Sequence, residues 1–455
     1  MKPNRTTETR YQTRKLLDRA FSGSGVIAIG IMALALVVIL MPILLRGSGA
    51  FIFDATVEHR KVMHELWNRG STAKIEKEIR ETDDARRPVY EMLLQLRREL
   101  ETMPRDERAK YRVPLRNLEE ALEELLGPEP GSKTPALIRR QYGVTRADRA
   151  QIKLDELLFV EEWVYADGAL GQKIRTPRAD QFRGTAAEPL FDYIEQHASE
   201  MLRPRLTFYW RFLIDTSKDS HLFGGIGPEV LGTVYLTLGA MFFAIPMGVI
   251  AAVYLCEYAR GGWIVSFLRI CISTLAGVPS IVFGLFGLAF FLNTIRITES
   301  KSVLAGSLTL ALLILPTVIR SSEEAILAVP KTYKEAALSL GAGRWHTVMT
   351  VILPAALPGI LTGTVISMGR AAGETAPIIF TAAVSIGKPL LPLQALTQPT
   401  PALPWNIYNL CTEHEAVDEI RHVQFGMVLT LVGVVLLLNL FAIMMRARIT
   451  KRLRG

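Results

Sequence analysis

Two charged residues sit in a run that is otherwise apolar, Ser367-Met368-Gly369-Arg370-Ala371-Ala372-Gly373-Glu374-Thr375-Ala376-Pro377. A guanidinium and a carboxylate four positions apart share one helical face and neutralise each other until an anion competes for the guanidinium. Arg370 follows Pro354 by 16 residues, about 24 Å along a helix, which places it deep in or just beyond the outer half of a membrane. Facing lipid there would cost at least ~2.5 kcal/mol, so such a charge marks a pathway; the plainer alternative is an interfacial arginine that snorkels and pairs for packing. The chemistry on offer is reversible anion contact, because a planar, always-charged fork can grip two oxyanion oxygens at once. Covalent chemistry finds no support. No His, Cys, Ser or carboxylate constellation has catalytic spacing, and His59 and His64 lie five apart with no further metal ligand in view.

The elements that would hold this pair are membrane spans. Of 455 residues, 49% are hydrophobic and 21% charged, with a mean hydropathy of +0.24, a balance that excludes a wholly water-soluble globule. The apolar residues gather in six uncharged blocks, Gly25–Leu45, Val230–Cys256, Ile270–Ile295, Ser302–Ile319, Thr347–Gly369 and Val423–Met445. Each suits a helix crossing a ~30 Å hydrocarbon core, which takes roughly 20 residues. The net charge of +8 belongs to the flanks of these blocks, since Gly47–Gly225 carries 29 Lys+Arg against 31 Asp+Glu. Basic residues in short loops and tails, rather than on one aromatic-interleaved surface, speak for membrane topology and against nucleic acid. Seventeen lie on one side and six on the other, which predicts six helices with both ends in the cytoplasm. A cleaved leader is the alternative for the first block, but its apolar run is long, Pro42 interrupts it, and no clean cleavage site follows. The three cysteines, Cys256, Cys271 and Cys411, imply a design without disulfides.

Residues 46–225 form a charged external segment. Val89–Glu101 and Leu115–Leu126 read as amphipathic helices bounded by Pro104, Pro114 and Pro128, and Asp148–Val164 reads as a third. Gly127–Pro135 and Gly168–Gly184 are loop-rich. The expectation is a mainly helical, hairpin-like domain whose charge runs are solvated faces.

Between the fourth and fifth blocks lies a cytoplasmic loop with a punctuated helix. Pro330 suits its first turn, Lys331–Leu340 contains good helix formers, and Gly341 suits the left-handed position that ends it. Ala336 and Ala337 keep one face low, open either to another protein's surface or to nothing more than a linking role. Glu335-Ala336-Ala337, three residues, Gly341, nine residues, then Val351-Ile352-Leu353-Pro354 resembles the EAA loop of ABC-importer permeases, with Val351 where isoleucine is usual. The resemblance implies that Glu335, Ala336, Ala337 and Gly341, with Leu353 and Pro354, form the element that couples to an ATPase subunit. The chain has no phosphate-binding G-x-x-x-x-G-K-[ST] loop of its own, so it is expected to bind no cofactor, with ATP used by that partner.

The segment around Arg370 resembles the characteristic GRAAGETAP stretch of phosphate-importer permeases, the A subunits of the Pst system, and the likeness covers about residues 226–455. It implies an all-α membrane protein with six transmembrane helices of the type I ABC-importer kind. The expected division is a cytoplasmic tail (1–24), helix one (25–45), a mainly helical periplasmic domain inserted between helices one and two (46–225), a permease core (226–446) with its coupling loop (320–346), and a cytoplasmic tail (447–455). The resemblance implies a substrate pathway through Arg370, Glu374 and Thr375. It also implies a homologous permease (the C subunit), two copies of an ATPase, a periplasmic phosphate-binding protein and a bacterial inner-membrane location, with lipid and not nucleic acid around it. The rivals are a permease for another oxyanion or small solute and a membrane sensor. A sensor should continue into a cytoplasmic signalling domain, whereas the sequence given ends ten residues after its last apolar block.

Overall fold

The structure is a computed structural model that describes residues 5–130, 144–164, 172–218, 220–414, 417 and 419–454. Its first helix, α1 (Arg5–Ser48), runs unbroken through the basic amino-terminal segment into the first apolar block. The expected boundary at residue 25 is therefore not a structural one. The last helix, α17 (Arg421–Arg454), likewise continues through the basic carboxyl end. Between Arg5 and Arg19, and between Arg446 and Arg454, no proline or glycine intervenes that would stop a helix.

The inserted domain follows α1. It holds α2 (Val57–Trp67), α3 (Thr72–Thr102), α4 (Arg105–Leu126), α5 (Ala147–Leu158) and α6 (Glu188–Leu202), with strands β1 (Ile52–Ala55), β2 (Phe159–Val164), β3 (Gln172–Pro177) and β4 (Arg205–Phe208). Three expectations are corrected. Helix α3 begins at Thr72 and not Val89, passing through Pro88, and α4 passes through Pro114, so Pro114 is not the boundary expected. A proline removes one backbone bond, but Val89, Leu93, Leu96 and Leu100 of α3 pack with Leu118, Leu122 and Leu125 of α4 and hold both helices together across the defect. The third helix stops at Leu158, and Phe159–Val164, rich in β-branched and aromatic residues, pairs antiparallel with β3, Phe159 opposite Pro177 and Glu161 opposite Arg175. Residues 172–177, expected in a loop, are that partner strand; residues 131–135 and 168–171 of the two expected loops lie outside the described residues.

Strands β1 and β4 pair antiparallel, with Ile52 opposite Phe208. The two ends of the insertion thus leave and rejoin the membrane body side by side. A junction core of Ala50, Val62, Tyr209, Phe212, Ile226, Leu410, Val423 and Met427 fastens them to it.

The membrane body contains α7 (Gly227–Val253), α8 (Trp263–Ala276), α9 (Ser280–Gly287), α10 (Val303–Leu327), α11 (Lys331–Ser339), α12 (Arg344–Thr347), α13 (Leu353–Gly373), α14 (Ala376–Thr381), α15 (Pro392–Ala395), α16 (Leu403–Thr412) and α17. Among the described residues five helical segments are long and apolar enough to cross a membrane: Leu17–Ser48, Gly227–Tyr258, Val303–Leu327, Arg344–Gly373 and Arg421–Lys451. The sixth expected span, Ile270–Ile295, is not one helix. Trp263–Ala276 and Ser280–Thr294 meet at a 102° bend, and six crossings result only if this bent pair counts as one. Gly277 closes α8, and Pro279 both lacks a donor and bars Val278 from helical geometry.

Helix α10 is the centre of the body. Leu310, Leu313, Ile314 and Val318 pack against Leu236, Ala240 and Ala244 of α7 and Met368 and Ala371 of α13. Small residues let the backbones approach: a Cβ on Gly248 would lie 2.6 Å from Val318, and one on Gly363 2.0 Å from the Ser321 hydroxyl.

Candidate functional site

The EAA-like helix is α11. Pro330 caps it, and Gly341 ends it at φ +84°, a conformation that costs other residues about 1 kcal/mol or more. The Ala342 amide donates to the Ala337 carbonyl at 3.1 Å, closing the turn. No residue of α11 is buried, and Leu340 is 90% exposed. Glu335, Ala336, Ala337 and Gly341 are therefore presented outward. Leu353 and Pro354 are not part of this exposed helix. They begin α13, where Leu353 packs on the cluster of Ala252, Ile326, Val348 and Ile352. Pro354 cannot donate to the preceding turn, and the five residues before α13, Val348–Ile352, are wound as a wider π-type turn. A second such turn, Tyr254–Tyr258, ends α7. Lys334 pairs with Glu257 of that turn at 2.5 Å. A cavity of about 350 Å³ opens between them, lined by Glu335, Leu338, Cys256 and Ile326.

Arg370 lies in the last turn of α13, where a cation complements the helix dipole. The helix ends at Gly373, so Glu374 is its extended capping residue and not, as expected, on the same helical face. The two still meet: the Arg370 Nε donates to Glu374 Oε1 at 3.3 Å. Arg370 is 42% exposed and Glu374 18%, and among the described residues no other hydrogen bond holds the guanidinium. Thr375 stands at the break, its carbonyl accepting from Ile378 at 3.2 Å as α14 starts. The arrangement presents a cation with spare donors beside a carboxylate, which suits transient contact with an anion and no bond-making chemistry.

Two buried acids of the membrane body escaped the sequence reading. Glu229, 1% exposed in the first turn of α7, accepts from Asn406 at 3.1 Å and faces His221 at 3.0 Å. Glu323, 4% exposed in α10, faces Arg269 at 3.4 Å and Arg320 at 3.9 Å. The fourth span was expected to end at Ile319, but no breaker occurs before Pro330, and that was the signal that Glu323 is helical.

The family described as "Binding-protein-dependent transport system inner membrane component" matches residues 244–455, which include α11 and Arg370. The chain is 41% identical over 162 residues to the "Probable ABC transporter permease protein YqgI" of Bacillus subtilis, covering 36% of this chain and 54% of that relative. It is 36% identical over 231 residues to the "Phosphate transport system permease protein PstA 1" of Mycobacterium tuberculosis, covering 51% of this chain and 72% of that relative. The chain belongs to the PstA permease family. A PstA-family permease is a multi-pass inner-membrane transport component, consistent with the long apolar helices. The family match spans residues 244–455, and the inserted domain falls outside it. Among solved structures, the inward-facing MetNI methionine ABC transporter aligns with 49% of this chain and 94% of its own at 19% identity, with a TM-score of 0.39.

Proposed function

We propose that this chain is the transmembrane permease subunit of an ATP-driven importer of inorganic phosphate, working by alternating access with a partner permease. The observation that carries the substrate is the 36% identity to a phosphate transport system permease over 72% of that relative. Arg370 is the anion contact in the pathway, and Glu374 and Thr375 shape the helix break beside it. The exposed α11, with Glu335, Ala336, Ala337 and Gly341, is the surface on which an ATPase subunit docks. Leu353 and Pro354 pass its movement into α13. ATP is bound by that partner. A phosphate-binding protein delivers substrate on the side of the inserted domain, which is periplasmic, with both termini in the cytoplasm.

The test is radiolabelled phosphate uptake in cells with this subunit deleted and then restored. Uptake should vanish and return, and be competed by unlabelled phosphate but not by sulfate. A sulfate-sensitive signal would favour another oxyanion, a reading kept open because YqgI carries no substrate in its name. Coupling is tested by Gly341→Asp. An added Cβ meets nothing within 4 Å in the isolated chain, so the protein should insert normally yet lose ATPase co-purification. Normal ATP-driven uptake by this variant would remove α11 as the docking element.

A further inference from the structure

Where the inserted domain meets the membrane body there is a cavity of about 450 Å³ whose wall is rich in arginine: Arg46 of α1, Arg146 and Arg149 of the insertion, and Arg421 of α17. Among the described residues, two carboxylates line it, Asp148 and Glu419. Asp148 is already committed, accepting from Arg146 at 3.1 and 3.2 Å and from the Arg149 amide at 3.0 Å. Arg149 is 6% exposed; its Nη2 lies 3.4 Å from Nδ1 of His422, and its Nη1 has no hydrogen-bond partner among the described residues. A buried guanidinium nitrogen left without an acceptor is costly, and buried polar groups in folded proteins are nearly always partnered by protein, water or ion. Burial and the neighbouring Arg146 charge lower the Arg149 pKa to about 10, as expected of a cation that lacks a full counter-ion.

We propose that this cavity is a binding site for a phosphate-type oxyanion, held by Arg46, Arg146 and Arg149. Arg46 of α1 and the free Nη1 of Arg149 in α5 supply the donors, while Arg146, whose nitrogens are taken by Asp148 and the Gly49 carbonyl, contributes its charge. Leu45, Ile152 and Phe425 form an apolar side to the same cavity, and Ile152 is 58% exposed. The site thus offers charge at one side and hydrocarbon at the other. The two sources of such an anion are the headgroup of an anionic phospholipid and free inorganic phosphate. Occupancy would bridge α1, α17 and the insertion, fixing the inserted domain on the membrane body.

The experiment uses the purified importer complex carrying Arg370→Gln, so that the pathway arginine does not contribute, compared with the same complex carrying Arg46→Gln in addition. Arg46 is exposed and stacks over Phe425 at 5.2 Å, so its loss leaves the fold intact; an unchanged melting temperature checks this. In one arm the complex is taken from nanodiscs of phosphatidylglycerol or of phosphatidylcholine and its retained lipid is counted by native mass spectrometry. In the other, inorganic phosphate is titrated calorimetrically onto the delipidated complex. Retention of phosphatidylglycerol but not phosphatidylcholine, weakened about tenfold by Arg46→Gln, assigns the site to a lipid headgroup. Phosphate binding weakened to the same degree, with no selective lipid retention, assigns it to the free anion. Equal behaviour with and without Arg46, or no binding in either arm, overturns the proposal. Arg149→Gln should reproduce the effect of Arg46→Gln.

Discussion

Helix α3 of the inserted domain and helix α10 of the membrane body each carry a proline near the middle, Pro88 and Pro316, yet they bury themselves differently. On α3 the buried positions form one stripe, from Ile75 through Val89, Leu93 and Leu96 to Leu100, with charges on the opposite face. On α10 buried residues occur almost all round, from Val303 to Ile326. The buried charges differ too. Arg86 of α3 is answered by Glu58 at 3.0 Å and by the carbonyls of Leu126 and Met201 at 2.9 and 2.8 Å. Glu323 of α10 has arginines only at 3.4 and 3.9 Å. The inserted domain answers the buried charge of Arg86 within itself and leaves Arg149 Nη1 open only where it meets the body, whereas the membrane body leaves whole apolar faces open. Helix α1 has an apolar window none of which is buried. Function should therefore be most sensitive in the membrane body and stability most sensitive in the inserted domain.

The largest effect expected is on transport. Arg370→Gln should abolish phosphate uptake and Arg370→Lys impair it strongly, because an ammonium keeps the charge but loses the planar fork. Glu374→Gln should be milder, since an amide oxygen still accepts from the Arg370 Nε. All three proteins should insert and melt as the parent does, because the 3.3 Å pair is partly exposed and worth little. The measurement is uptake normalised to membrane-inserted protein. Wild-type uptake by Arg370→Gln would make Arg370 an interfacial anchor and erase the functional half of the contrast.

The next effect belongs to the inserted domain. Arg86→Met leaves Glu58, 6% exposed, without its buried partner, which costs about 3–5 kcal/mol when one member of such a pair is removed. Limited proteolysis of the inserted variant should cut between residues 49 and 225 while residues 227–454 stay protected. Adding Glu58→Gln should recover part of the loss. A change under about 1 kcal/mol would mean that the ion pair does not organise this domain.

The sequence made the membrane body readable because uncharged blocks and the spacing of the EAA-like loop are local signals, and α11 with its Gly341 turn falls where that spacing puts it. It misjudged what depends on tertiary support. Pro114 looked like a boundary because packing of Leu118 and Leu122 beyond it is not visible in a local window. Phe159–Val164 looked helical because its partner strand lies eight or more residues away. The 102° bend within one apolar block was signalled by Gly277 and Pro279, but hydropathy alone averages over it. Arg370 was found from its position, whereas Glu229 and Glu323 sit at block edges and need the fold to be seen as buried.

The smallest effect sharpens the contrast at the junction, and it is a matter of pH. His59 of α2 is 5% exposed and packs edge-on against Phe53, Phe223 and Tyr209 at ring distances of 5.3, 5.4 and 5.9 Å. Burial foremost, then the charges of Arg146 and Arg60, lowers its pKa from 6.5 to about 3. The folded domain thus holds His59 neutral, while the unfolded chain takes up a proton near pH 6.5. Between pH 6.5 and 3 the unfolded state binds more protons, so stability falls as pH falls, with a limiting slope of about 1.4 kcal/mol per pH unit. Above pH 6.5 the group contributes no pH dependence. From pH 6.5 to 5 the inserted domain should lose about 2 kcal/mol from this group. His59→Phe, which keeps an aromatic ring among aromatic neighbours, should flatten that slope. The check is chemical unfolding of the full-length protein at pH 7 and pH 5, followed by proteolysis of residues 49–225. Equal slopes in the parent and in His59→Phe would show that the buried histidine does not couple the junction to acid.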